Sequence, residues 1–174
     1  INVGLVGSEM CIRDRKQTFD TAAELLEVQA KRHSALGKSF KVDMEEYQVF
    51  VEKFAYEETH DQKRTIEEVV NDMQSTRPMD RLICGEVGFG KTEVAMRAAF
   101  ICAQNNKQTC ILVPTTLLTS QHLASFEERF KDTGVNIASL SRNINLKEKE
   151  VLLKKLSSGE IDITVSYTHL RAHE

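Results

Sequence analysis

At 174 residues and 41% hydrophobic content, the chain holds enough apolar material for one modest core with an appended element. A formal charge of −3 gives no global attraction to nucleic acid, so any such contact has to be local. No segment is long and apolar enough to cross a membrane and no basic signal opens the chain, so no membrane partner is expected.

Cys11, Cys84, Cys102 and Cys110 lack metal-ligand spacing and read as small buried hydrophobes of a reducing cytoplasm. The five histidines are scattered and suggest no ligand cluster.

Both ends read as foreign. The chain opens on Ile1, which points to an internal fragment, and residues 1–15 and 166–174 resemble read-through of an adaptor. Both are set aside from fold reasoning. Residues 16–42 form a linker unit with a helix over Phe19–Leu36, where Thr21 and Glu24 fit a capping box and Gly37 fits a C′ stop. Ala22, Leu25, Leu26, Gln29 and Ala30 make a partial apolar stripe along roughly 25 Å of helix. Nothing nearby in the sequence pairs with it.

Residues 43–76 form a helical unit. Asp43 caps a short helix running through Phe54, with Met44, Tyr47, Val51 and Phe54 on one side. Thr59 and Gln62 then form a capping box for a helix carrying Ile66, Val69, Val70 and Met73. The same stretch supports a second reading. An aromatic at Phe54 or Tyr56 precedes the amide of Gln62, which can donate and accept at the N6/N7 edge of adenine. Spacing alone leaves capping and adenine recognition both open.

Residues 77–165 carry the chemistry. Asp80–Cys84 reads as a short buried strand leading into Gly85-Glu86-Val87-Gly88-Phe89-Gly90-Lys91-Thr92. Glycine, four residues, glycine, lysine and a hydroxyl residue make the phosphate-cradling pattern. The glycines let backbone N–H groups approach an anion, and the following helix adds its positive end. Lys91 is placed for the β- and γ-phosphates of ATP and Thr92 for Mg²⁺. The helix over Glu93–Ala103 sets Val94, Ala95, Ala98, Ala99 and Cys102 on one face, with Glu93 and Arg97 spaced for an exposed ion pair.

Further strands are predicted at Gln108–Val113, Val135–Leu140 and Ile161–Val165, separated by helices starting near Thr115 and Lys147. Alternating strands and helices with short connections indicate an α/β fold whose parallel sheet is covered on both faces. Thr115 and Thr116 are ordinary caps at a strand's carboxyl end and are also placed to hold nucleic-acid phosphates. Lysines alternate with glutamates over Lys147–Lys155, which reads as a solvated face.

With these residues together, the chain resembles the bacterial transcription-repair coupling factors, superfamily-2 DNA translocases, from about Lys16 to Val165. The resemblance is carried by Met79–Gly85, Gly88–Arg97 and Val113–Leu118. Phe89 between the loop glycines separates it from the related branch-migrating helicases. It implies a partial RecA-like P-loop lobe behind a helical linker, with Gly85–Thr92 and the adjoining Glu93 on the nucleotide. It further implies that Phe54 or Tyr56, with Gln62, recognises adenine, and that Thr115, Thr116, Gln121 and Arg142 contact DNA. The implied cofactors are ATP and Mg²⁺, and the implied partners are double-stranded DNA and, through domains outside this chain, RNA polymerase. His60 departs from the proline common there. No strand after the loop ends in an Asp-Glu pair, and Asp162 lies inside its strand, so the chain is expected to bind nucleotide without turning it over. A related branch-migrating DNA helicase and a non-catalytic P-loop interaction module are the alternative readings. A P-loop kinase fits less well, lacking a lid-like basic segment and leaving likeness over so long a stretch without an account.

Overall fold

The structure, a computed structural model, describes residues 4–141 and 144–167, with side chains described from Arg15 onward apart from His33. It begins with helix α1 (Gly4–Ser34), which takes in residues set aside above as a foreign tail. The expected start at Thr21 is therefore not a helix end. Thr21 lies mid-helix and its hydroxyl donates back to the Gln17 carbonyl at 2.9 Å, as mid-helix threonines do. Gly37 is not a helix stop either. Its N–H donates to the Thr76 carbonyl, and a Cβ there would lie 2.8 Å from the Pro78 nitrogen. The glycine is a close crossing of two backbones.

Helix α2 (Met44–Glu52) is capped by Asp43 as the sequence indicates, and its inward face is Tyr47 and Phe50, with Met44 outside. Helix α3 (His60–Gln74) starts at Thr59 with both halves of the capping box formed, and buries Ile66, Val69 and Met73. Helix α4 (Lys91–Gln104) follows the phosphate loop. It buries Val94, Met96, Ala99, Phe100 and Ile101, more of its circumference than one apolar stripe predicts.

Three strands form a parallel sheet in the order β1-β3-β2: β1 (Thr109–Val113), β2 (Ile137–Leu140) and β3 (Ile163–Tyr167). Helix α5 (Thr116–Phe130) joins β1 to β2, and α6 (Leu146–Ser158) joins β2 to β3. Thr109 pairs with Ile163 and Ile137 with the same residue, so β3 is paired on both sides. Its Ile163, Thr164 and Val165 are all buried, whereas β1 alternates and leaves Cys110 and Leu112 exposed. A central parallel strand reads as a continuous apolar run because both its faces are covered. The covering is uneven, since α6 buries no residue. β3 continues through Ser166 and Tyr167, two residues also set aside above.

The predicted strand at Asp80–Cys84 does not form: the segment has no ladder partner among the described residues, Leu82 is 87% exposed, and Cys84 is exposed. A strand exists only through its neighbour's hydrogen bonds, and apolar composition cannot supply one. The expectation of buried cysteines fails at Cys84 and Cys110 for related reasons, one in an unpaired segment and one on an uncovered sheet face. Cys102 is partly buried, and burial pushes its thiol pKa up.

One core unites the helical unit with the sheet. Tyr47, Phe50, Ile66, Val69 and Met73 cluster with Val94, Phe100, Ile101, Phe126, Phe130 and Ile163. Phe50 stacks on Phe100 with centroids 4.3 Å apart and leans on Phe130 at 5.0 Å. The segment 43–76 is thus packed into the lobe and does not form a separate unit.

Candidate nucleotide-binding site

Between Cys84 and α4 the chain turns through Gly88 (φ +88°) and Gly90 (φ +68°), both in the left-handed region that glycine enters without steric cost. Gly90 is the N-cap of α4, so the positive end of that helix faces the loop. A Cβ on Gly90 would meet the Gln62 Nε2 at 2.5 Å, so a side chain there would push the Gln62 amide aside. Lys91 turns its ammonium into the concavity, donating to the carbonyls of Gly85 and Glu86 at 2.6 Å each. Lys91 is thus held by two loop carbonyls beside the first turn of α4. Val87 is almost fully exposed at the loop tip.

Gln62 joins this loop to the segment before α3. Its Oε1 accepts from the Thr59 N–H at 2.7 Å, and its Nε2 donates to the Phe89 carbonyl at 2.9 Å. The amide oxygen keeps one lone pair and the nitrogen one hydrogen. Capping and base recognition, left open by spacing, are therefore compatible on one side chain.

A cleft of ≈ 1460 Å³ runs beside the loop, and Phe54, Tyr56, Gln62, Gly88, Gly90, Thr92 and Glu93 all line it. The Phe54–Gln62 segment and the glycine-rich loop thus line the same cleft. Phe54 and Tyr56 touch edge to face with centroids 5.6 Å apart, Phe54 half-buried and Tyr56 exposed.

Glu93 was expected beside the nucleotide and, with Arg97, on an exposed face. It is buried, and so is Arg97. Glu93 Oε1 accepts from Arg97 Nε at 2.9 Å and from an Arg129 terminal nitrogen at 2.8 Å, while Oε2 accepts from Arg129 Nε at 3.1 Å. Arg97 also donates to Glu58. Burial works against the Arg97 charge, but hydrogen bonds to Glu93 and Glu58 outweigh it and hold the pKa above the ordinary guanidinium value. The helix around Glu93 is covered because α5 and the Phe54–Thr59 segment close over it, which an i,i+4 spacing cannot reveal.

Arg129 was not singled out from the sequence. It lines the cleft, its guanidinium carbon sits 4.0 Å from the Phe50 ring centroid and 5.7 Å from that of Phe54, and one terminal nitrogen is buried without a partner. A signal existed: Arg129 falls between Phe126 and Phe130 on α5, an arginine inside an apolar stripe.

Thr115 caps α5, accepting from the Leu118 N–H, and both Thr115 and Thr116 are exposed where β1 ends. Gln121 lines the cleft, one turn along from those threonines. Arg142 lies outside the described residues. Among the described residues, no group of three or more His, Cys, Asp or Glu side chains could hold a metal ion, and no helix is long and apolar enough to cross a membrane.

A family model described as DEAD/DEAH box helicase matches residues 59–172. The chain belongs to that helicase family. Within it, the transcription-repair-coupling factor of Haemophilus influenzae is 47% identical over 168 residues, 94% of this chain and 15% of that protein. Its Escherichia coli counterpart is 49% identical over 150 residues, 86% of this chain and 13% of that protein. The helicase chain therefore spans under a fifth of the length of these relatives. A solved structure of RecG bound to a three-way DNA junction superposes with a TM-score of 0.77 at 31% identity, over 85% of this chain and 20% of that one. The α/β fold is accordingly a partial RecA-like lobe.

Proposed function

We propose that this chain is the ATP-binding part of a DNA translocase motor of the transcription-repair-coupling type. The observation that carries the reading is the joining of the Phe54–Gln62 segment to the phosphate loop by the Gln62–Phe89 hydrogen bond, on the wall of one cleft. The base then lies against Phe54 or Tyr56 and Gln62. The phosphates lie in the turn Gly85–Thr92, with Lys91 exchanging its carbonyl contacts for β- and γ-oxygens. Mg²⁺, when bound, neutralises phosphate charge. Thr92 is the residue that would hold it, the remaining ligands coming from phosphate and water.

In the full-length protein this site drives movement on double-stranded DNA and displacement of a stalled RNA polymerase in the cytoplasm. Thr115, Thr116, Gln121 and Arg142 are the proposed contacts to the DNA backbone. Identity of 47% and 49% to coupling factors, against 31% to RecG, favours this assignment over a branch-migrating helicase. The chain by itself binds nucleotide and does not turn it over. Glu93, the carboxylate adjoining Thr92, is fully engaged by two arginines and unavailable to orient water. Ground-state ligation leaves the rate unaided without groups aimed at the transition state.

Calorimetry with Mg-ATP tests the site. Lys91→Ala deletes the one cation aimed at the β/γ-phosphates and is expected to weaken binding by about 10–100-fold. Phosphate release should stay at background with or without duplex DNA, and any DNA binding should be salt-sensitive and blind to sequence. Unchanged affinity in Lys91→Ala would overturn the phosphate assignment. Strong DNA-stimulated turnover would overturn the claim of an incomplete site.

A further inference from the structure

Two guanidiniums and two carboxylates form a buried chain between three elements that are distant in sequence. Arg129 lies on α5, Glu93 and Arg97 lie on α4 directly after the phosphate loop, and Glu58 lies in the segment before α3. Side-chain exposure is 10% or less for Arg129, Glu93 and Arg97, and 17% for Glu58. The four charges cancel. Phe54 sits beside both cations, 5.8 Å from the Arg97 guanidinium carbon and 5.7 Å from that of Arg129.

We propose that Arg129 is a positioning residue for base selectivity, acting through Glu93, Arg97 and Glu58 to fix the Phe54–Gln62 segment on the helix of the phosphate loop. The inference rests on the adenine reading above.

The roles divide by geometry. Arg129 grips both Glu93 oxygens with its fork and lays its face on Phe50 at 4.0 Å. Lysine cannot do both, having neither a second fixed donor direction nor a planar face. With Glu93 held this way, Arg97 needs only its Nε for Glu93 and extends a terminal nitrogen to Glu58. Weakening the Arg129 grip leaves Glu93 under-compensated in a buried setting, where such a charge is costly. Arg97 is then drawn toward Glu93 and away from Glu58. The tie between the base segment and α4 loosens, and Phe54 loses one flanking cation. The phosphate loop keeps its own backbone turn and Lys91.

The test separates base reading from phosphate binding in the 174-residue chain. Calorimetric affinities for Mg-ATP, Mg-GTP and base-free Mg-tripolyphosphate are measured for wild type, Arg129→Lys, Glu58→Gln and Gln62→Ala. The expected result is an ATP-over-GTP preference in wild type that falls about fivefold or more in Arg129→Lys and Glu58→Gln. Tripolyphosphate affinity should stay within about twofold in both. An equal affinity for ATP and GTP in wild type would remove the adenine reading itself. A wild-type preference that is lost in Gln62→Ala but kept in Glu58→Gln would overturn the positioning role and leave the adenine reading intact. A parallel fall in tripolyphosphate affinity would overturn it too, as general loosening of the lobe. Should Arg129→Lys fail to fold by circular dichroism, the partly exposed Glu58→Gln decides alone.

Discussion

At Gln62 the capping role and the proposed binding role are compatible on one amide. Oxygen and nitrogen each make one internal hydrogen bond and keep capacity for one more. Gln62→Glu is therefore expected to be worse than Gln62→Ala for nucleotide binding, because its carboxylate would face the Phe89 carbonyl with no donor between them. Affinities for Mg-ATP measured side by side check this, and an equal loss in both would remove the Phe89 tie from the account. Gly90 supplies a second case. Its φ of +68° strains any L residue, and an ideal Cβ would press on Gln62 Nε2 at 2.5 Å. Gly90→Ala should cost about 1–2 kcal/mol of stability and lower ATP affinity by displacing Gln62. Chemical denaturation and calorimetry on the same preparation read the two effects separately. The glycine turn before α4 was legible because the residues that form it are consecutive. The burial of Glu93 was not, because its partner Arg129 is 36 residues away.

Two helices illustrate how far local signals reach at the scale of an element. Thr21-Glu24 and Thr59-Gln62 carry the same capping pattern, yet only the second forms a box. Upstream of Thr59 the chain is extended, so the box closes the first turn. Upstream of Thr21 helix α1 is already running, so the hydroxyl turns back to Gln17. Thr59→Ala should cost about 1 kcal/mol, and a thermal midpoint unchanged by that substitution would contradict the cap. On α1 the apolar residues face outward: Phe19, Leu25, Leu26 and Val28 are all more than half exposed. An ion pair between Arg32 and Asp80 ties its end to the lobe. Replacing Leu25 and Leu26 together by glutamate should change stability by no more than about 0.5 kcal/mol, measured by urea unfolding. A large loss would mean those leucines are covered in solution.

For the whole molecule, the phenylalanine cluster joins α2, α4 and α5 in one core. Phe50 comes from α2, Phe100 from α4, and Phe126 and Phe130 from α5, and their rings stack or tilt against one another within 4.3–6.3 Å. A lobe joined this way should unfold in one transition. Phe50→Ala, which empties a site 2% exposed, is expected to cost about 3–5 kcal/mol. It should lower the midpoint seen by helix-sensitive circular dichroism and by calorimetry together. Two separated transitions would instead mean that residues 43–76 fold apart from the sheet.

What the amino-acid sequence determined by itself was whatever depends on neighbours along the chain. That includes the glycine turn before α4, the caps at Asp43, Thr59 and Thr115, the alternation of helices and strands from α4 onward, and the apolar run of β3. Each is specified by a few consecutive residues through backbone geometry or side-chain periodicity. Tertiary structure alone decided which polar groups were buried and which apolar ones were left outside. Asp80–Cys84 has strand composition and no strand to pair with. Glu93 and Arg97 have the spacing of a surface ion pair and sit inside the lobe. Arg129 closes a network whose other members, Glu93, Arg97 and Glu58, lie far from it in sequence. The burial and pairing of these groups depend on what the rest of the chain brings alongside them.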